Sequence, residues 1–160
     1  EDFARLHPGG SLGKRLLTRV ADVMLRDDLP VLGLGATMRE AVVHLAERRG
    51  IVVVTGERGA LAGVVTTGDL TRLMERTTDI WGVSVRDVMT PHPVSVDETA
   101  ALAEILWLLE AHKLKRIPVV NGERLVGLLL RKQVIDAVRQ STEIASVDLS
   151  RDADRRHQGN

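Results

Sequence analysis

The chain has 160 residues, 44% of them hydrophobic and 28% charged, with 22 Lys plus Arg balanced by 22 Asp plus Glu. This is the composition of an ordinary soluble globular protein; the charge balance supplies neither a basic surface for nucleic acid nor a polybasic membrane anchor. Cysteine is absent, which excludes disulfides and thiolate metal sites, and no apolar run approaches the roughly 20 residues of a bilayer span, so a cytoplasmic location with no membrane and no nucleic-acid partner is expected. The first residue is Glu1 rather than Met, which points to a piece of a longer polypeptide.

The first feature along the chain is HPGGSLGKRLL, His7 to Leu17. A phosphate-binding P-loop needs Gly, four residues, Gly-Lys and then Ser or Thr, so that backbone amides surround the phosphates while lysine and hydroxyl reach the distal phosphate and magnesium. Counting back from Gly13-Lys14 meets Pro8, and Arg15 follows. The dinucleotide fingerprint fails at the same Pro8, and no strand precedes the run. Gly9 and Gly10 read as punctuation of a loop.

A repeat begins at Val20. VADVM, Val20 to Met24, returns as VRDVM, Val85 to Met89, an offset of 65. In the first copy TMREAVVHLAER places Met38, Ala41, Val42 and Leu45 at the i, i+3, i+4, i+7 positions of an amphipathic helix. GIVVV, Gly50 to Val54, follows as a β-branched strand; TGERGA turns into the strand LAGVV, and a second helix, DLTRLM, starts at Asp69. ERTTDIWGVS, Glu75 to Ser84, links the copies, and Trp81 within it is expected to cover a core edge, the alternative being a stacking role.

The second copy runs through the same order. LAEILWLLEAHK sets Leu102, Ile105, Leu106 and Leu109 on the helix template at an offset of 64, and Trp107 beside that stripe is expected to pack. RIPVV, Arg116 to Val120, is the strand, with Val119 set against Val53 at an offset of 66. NGER is the turn and LVGLLL the return strand, in which Gly127 follows Gly63 by 64 residues. QVIDAV from Gln133 is the last helix, with Val134 and Val138 matching Leu70 and Met74.

Each copy therefore reads β-α-β-β-α. A unit of about 60 residues buries too little surface to be comfortably stable alone, so the two are expected to pack face to face about a pseudo-twofold axis, giving an α/β chain of the α+β kind. The division is 1–19 ahead of the repeats, 20–76 as the first repeat, 77–84 as linker, 85–140 as the second repeat, and 141–160 as a polar tail expected to be disordered.

DVMLRDDLPVL and DVMTPHPVSV, the two helix patterns, the IPVV strand and GVVTTGDL together resemble a tandem pair of CBS domains, a Bateman module, over about Val20 to Arg139. The resemblance implies a module that binds adenosine nucleotides or related ligands between its repeats and regulates an attached enzyme or transporter. HPGGSLGKRLLTRVADVM further resembles the junction in arabinose-5-phosphate isomerases where a sugar-isomerase domain of the SIS type ends and the CBS pair begins. Residues 1–19 are then the end of that domain and its linker. That family supplies the pathway to Kdo, an acidic sugar of bacterial lipopolysaccharide.

In nucleotide-binding CBS domains the return strand ends in Gly, two apolar residues, Thr or Ser, two further residues and Asp, and Gly63 to Asp69 matches this pattern. By that resemblance Thr66 and Thr67 offer hydroxyls to ribose or phosphate, and Gly68 permits close backbone approach. The Asp69 carboxylate can accept both vicinal ribose hydroxyls, at about 1.5 to 3 kcal/mol per charge-assisted bond. Asp69 can equally cap the helix that follows it, and the two roles can coexist. The second repeat places Leu130, Arg131, Lys132 and Gln133 at these positions. Leucine has no hydroxyl and a neutral amide is a poorer acceptor for a diol, so at most one site of the usual ribose chemistry is expected.

Arg48-Arg49 and Lys115-Arg116 lie at the start of the central strands, either as solvated strand ends or as phosphate contacts. His44, His92 and His112 lack the spacing of a metal site, and no serine, histidine and acid constellation is present. No metal and no required cofactor are assigned.

Three functional readings follow. The leading one is a regulatory module that senses a small-molecule nucleotide, AMP-like, ATP-like or a CMP-sugar, and biases an attached SIS catalytic domain within a homodimer or higher homo-oligomer. The second is a ligand-free structural or dimerisation module. The third concerns His7, which matches the histidine of HPGG that contributes to the isomerase active site. A histidine can serve in ring opening or as acid or base. It needs the rest of the SIS domain, so these 160 residues alone are expected to show no isomerase activity.

Overall fold

The computed structural model describes residues 18–47 and 50–140. In chain order the elements are α1 (Val20–Val23), β1 (Val31–Gly33), α2 (Met38–Glu47), β2 (Ile51–Thr55), a 3-10 turn (Glu57–Gly59), β3 (Leu61–Thr66) and α3 (Thr67–Arg76). The second half supplies α4 (Val85–Val88), β4 (Thr90–Pro91), β5 (Val96–Asp97), α5 (Leu102–Ala111), β6 (Arg116–Asn121) and β7 (Arg124–Leu130). A last helix, α6, occupies 131–140. The junction at 1–17 and the polar tail at 141–160 lie outside the described residues.

Each half carries one small mixed sheet. In the first, β1 runs parallel to β2 and β2 antiparallel to β3; in the second, β5 runs parallel to β6 and β6 antiparallel to β7. The parallel pairs require a crossover, which α2 and α5 provide. Ile51 to Val54 are all buried because β2 is covered on both faces. Val52 and Val54 enter the core formed with Met38 and Ala41 of α2, whereas Ile51 and Val53 join Val64 and Leu128 in a cluster shared by both repeats. The face-to-face packing expected from the repeat is this shared cluster.

The register of the central strand and the place of Trp107 depart from the sequence expectation. The ladder pairs Val54 with Gly63 and Val119 with Gly127, so the strands superpose at an offset of 65 and Val119 corresponds to Val54, not Val53. One residue of slip exchanges the two faces of a strand, and Val119 accordingly sits in a helix-side core as Val54 does. Trp107 does not pack: it is 71% exposed, while Leu102, Ile105 and Leu109 of the same helix are buried. Five residues past Leu102 is roughly 140° around a helix of 3.6 residues per turn, beyond the edge of the buried stripe.

The short helices that open each repeat are exchanged between the halves. Val20 and Met24 of the first repeat lie in the core of the second, with Leu102, Ile105 and Ile117. Val85, at the start of the second repeat, lies in the core of the first, with Met38 and Val52. Each fully buried valine contributes roughly 1.5 to 3 kcal/mol to the half that receives it.

Backbone pairing follows the same exchange. β4 adds to the edge of β3, with Val64 paired to Thr90, and Leu25 bridges Leu128 with hydrogen bonds of 2.8 and 3.0 Å. Gly63 and Gly127 face these crossings: a Cβ would lie 2.8 Å from the Thr90 carbonyl oxygen at Gly63 and 2.7 Å from that of Leu25 at Gly127. Only glycine admits the opposite chain so closely.

The same segments cap the crossover helices. The Leu102 amide donates to the Thr18 carbonyl at 2.9 Å, and the Met38 amide donates to the Val83 carbonyl at 2.8 Å. Trp81 takes part in the second cap: its carbonyl accepts from the Arg39 amide and its ring lies 5.5 Å from the Arg39 guanidinium. At 46% exposure it is a cation–π partner at the surface, not the core-edge cover expected.

Candidate functional site

The four candidate residues of the first repeat sit where β3 passes into α3. Thr66 is the N-cap, in extended conformation, and Thr67, Gly68 and Asp69 form the first turn. Asp69 turns back on the cap. Its Oδ2 accepts from the Thr66 amide at 2.8 Å and from the Thr66 hydroxyl at 3.1 Å, and the Thr66 Oγ1 accepts from the Asp69 amide at 3.3 Å. Its Oδ1 accepts from Arg72 Nη2 at 2.6 Å, one turn along.

This reciprocal capping box satisfies amides that a helix start leaves free. Asp69 is 8% exposed and both of its oxygens are engaged. Thr67 and Gly68 remain exposed, with the Thr67 carbonyl accepting from the Thr71 hydroxyl. The helix thus starts two residues earlier than expected: Thr66 is the N-cap, Asp69 completes the cap from within the first turn and not from ahead of the helix, and its other oxygen is held by Arg72.

The second repeat differs at the same place. Leu130 ends β7 and Arg131, Lys132 and Gln133 open α6. Beside them lies a cavity of about 550 Å³ whose lining includes Lys115, Arg116, Arg131, Lys132 and Arg139, with Asp136 as its one carboxylate. Two elements aim the cations. Arg116 begins β6 opposite Leu130, and the Arg131 amide donates to the Lys115 carbonyl at 2.8 Å, which ties the start of β6 to the start of α6. Lys132, Asp136 and Arg139 recur at i, i+4 and i+7 and so share one face of α6.

Arg116 also reaches the first repeat. A Cβ at Gly50, whose φ is +71°, would lie 3.1 Å from Arg116 Nη2, so the guanidinium rests against the backbone that leads into β2. The structure thus brings Lys115 and Arg116 together with Arg131, Lys132 and Arg139, which sequence reasoning had not assigned to a site. The helical spacing of 132, 136 and 139 carried that signal, but only the pairing of β6 with β7 places it beside Lys115. Thr66 to Asp69 stay together at the other repeat. His7, Arg48 and Arg49 lie outside the described residues.

A second cavity, of about 400 Å³, lies between the hairpins of the two repeats, with Leu61 on one side and His92, Ser95 and Glu123 on the other. Among the described residues no three His, Asp or Glu side chains converge as metal ligands do, and no helix is long and apolar enough to cross a membrane.

The CBS domain model matches residues 20–76 and 85–140. The chain belongs to the CBS domain family. It is similar to arabinose 5-phosphate isomerase KpsF of Escherichia coli, with 38% identity over 131 residues, 81% of this chain and 40% of that protein. It is also similar to arabinose 5-phosphate isomerase KdsD of Pseudomonas aeruginosa, with 41% identity over 132 residues, again 81% and 40%. The chain thus spans about 40% of the length of these curated relatives. Among solved structures, the CBS pair matches CBSX2 in complex with AMP at 30% identity and a TM-score of 0.66, over 76% of this chain and 96% of that one.

Proposed function

We propose that this CBS pair is the regulatory module of an arabinose 5-phosphate isomerase on the route to Kdo and lipopolysaccharide, where it binds a nucleotide or nucleotide sugar in the cytoplasm. The observation that carries the reading is the cationic cavity, in which five Lys and Arg side chains face one carboxylate and offer charge-assisted bonds to phosphate. The isomerases named above, of which this chain covers 40%, support attachment to a catalytic domain, and the AMP complex of CBSX2 supports a nucleotide as ligand. Regulation then requires that the ligand bind one arrangement of the pair better than another.

Exposed apolar side chains recur at matching helix positions, Val43 in α2 and Trp107 in α5, with Met74 on α3. An unpartnered apolar face repeated on both halves fits a second copy of the same module, and we assign the homodimer contact to it.

Thermal unfolding with AMP, ATP and a CMP-sugar tests the ligand reading: at 100 times its dissociation constant a binder adds about 2.7 kcal/mol of stability. If none of the panel raises the midpoint, the nucleotide reading fails. The second reading, a ligand-free dimerisation module, is favoured by one observation, the capture of Asp69 in its own helix cap. Absence of any shift together with a stable dimer would establish it. Assigned by resemblance to the active site of the attached domain, His7 confers no isomerase activity on these 160 residues alone; turnover of arabinose 5-phosphate by them would overturn that assignment.

A further inference from the structure

Resting on the proposal that the pair binds an anionic ligand, we infer that the second repeat's cavity selects its occupant by anionic charge and not by a nucleoside. The ligand class is a compact polyanion carrying two or more phosphate or carboxylate groups. The lining contains no hydroxyl, no amide side chain and no aromatic ring. Among its side chains only Asp136 can accept from a ribose diol, and none offers an aromatic platform for a base. Leu130 and Ile135 are its apolar surface; the remainder is charge.

The cations are also uncompensated. Among the described residues none of Lys115, Arg116, Arg131, Lys132 or Arg139 pairs with a carboxylate, and Asp136 itself forms no ion pair. Like charges gathered around one concavity repel one another, and a bound polyanion removes that repulsion while receiving charge-assisted bonds.

The first repeat cannot duplicate the arrangement. Its helix α3 has Gly68 where α6 has Lys132, Arg72 where α6 has Asp136, and Glu75 where α6 has Arg139. One polyanion per chain is the resulting stoichiometry. The volume of about 550 Å³ admits a mononucleotide as well as a smaller ester, so size does not select; the polar groups do.

Calorimetric titration of the 160-residue chain at about 0.15 M salt, where exposed charges are screened beyond about 8 Å, tests the inference. The probes are inorganic pyrophosphate, inorganic triphosphate, AMP, ATP and adenosine. Affinity is expected to rise with charge, with triphosphate and ATP within about threefold of each other, adenosine silent, and one equivalent bound per chain. Arg131→Gln and Lys132→Gln, singly, should each weaken triphosphate binding by about 10- to 100-fold, the equivalent of one lost charge-assisted bond. Arg86→Gln, which removes an exposed cation outside the cavity, should leave it unchanged. Lys132 is exposed, so its variant folds whatever happens at Arg131. Nucleotide binding that pyrophosphate does not displace, or that survives both variants, overturns this inference and leaves the nucleotide reading standing. Silence from every probe overturns both.

Discussion

Replacing Gly127 by alanine tests the crossing at which the first repeat is stitched to the second. The added Cβ would stand 2.7 Å from the Leu25 carbonyl oxygen and 2.6 Å from Met24 Sδ. The thioether end can rotate, but the carbonyl is backbone. Reaching ordinary contact at 3.4 Å requires the Leu25 strand to retreat by about 0.7 Å. That retreat loosens both hydrogen bonds between Leu25 and Leu128, now 2.8 and 3.0 Å, at about 1 kcal/mol each.

Overpacking adds about 1 to 3 kcal/mol, so the total loss should be about 3 to 5 kcal/mol. With a urea dependence of roughly 2 kcal/mol/M, the unfolding midpoint should fall by about 1.5 to 2.5 M. Gly35→Ala is the control, since a Cβ there meets nothing within 4 Å and the substitution should be neutral or stabilising by up to about 1 kcal/mol. If the midpoints of Gly127→Ala and Gly35→Ala coincide, the close crossing does not exist in solution.

Three further outcomes are expected. Asp69→Ala should cost about 1 to 3 kcal/mol by urea unfolding, because it strips the cap from α3 and leaves the Thr66 amide without its acceptor. Arg72→Ala should cost under about 1 kcal/mol, its side chain being 67% exposed and its pair screened; equal losses from the two variants would contradict the capping argument. The Asp97 carboxyl is held below its ordinary value of 3.8 because the Thr99 hydroxyl and amide both donate to it. The folded state thus favours the carboxylate, and its contribution is full above 3.8 and lost as pH falls through the lowered value. The stability difference between wild type and Asp97→Asn should stay level from neutral pH to that point and close below it; a difference that widens on acidification refutes the assignment. Trp107→Glu should halve the mass measured by light scattering while shifting the thermal midpoint of the monomer little, because a 71% exposed ring contributes little to its own core.

The repeat, its element order and the CBS likeness were legible because two copies of one hydrophobic pattern recur in a single chain, each with the same helix period and the same glycine in its return strand. The register of the central strand was not. Ile51 to Val54 are apolar on both faces, so no alternation marks which residues point to the helices and which to the other repeat. Trp107 was misplaced for a related reason: α5 is apolar around much of its circumference, and composition does not show where the buried stripe ends. The capping role of Asp69 could be read locally from Thr66 three residues before it, whereas the cationic cavity could be read only by halves. Lys115-Arg116 drew attention as a basic pair, but Arg131, Lys132 and Arg139 join them only through the β6–β7 ladder. The exchange of Val20 and Val85 between cores leaves no local mark, since a buried valine looks the same whichever core receives it.

That exchange decides which repeat holds the first described residues. Thr18 caps α5, the Val20 amide donates to the Ala100 carbonyl and the Ala21 amide to that of Glu98, all in the second repeat. The linker instead caps α2 of the first repeat through Trp81 and Val83. Residues 18–21 are therefore fastened to the half that carries the cationic cavity. One strand serves both, since Arg116 of β6 lines the cavity while Ile117 and Val119 of β6 pack in the cluster that holds Val20. A ligand of the proposed kind that drew in Arg116 would act on the strand against which Val20 packs and on the Gly50 backbone of the first repeat where the guanidinium rests. The leverage it gains there is its difference in affinity between two settings of β6, and no more than that difference.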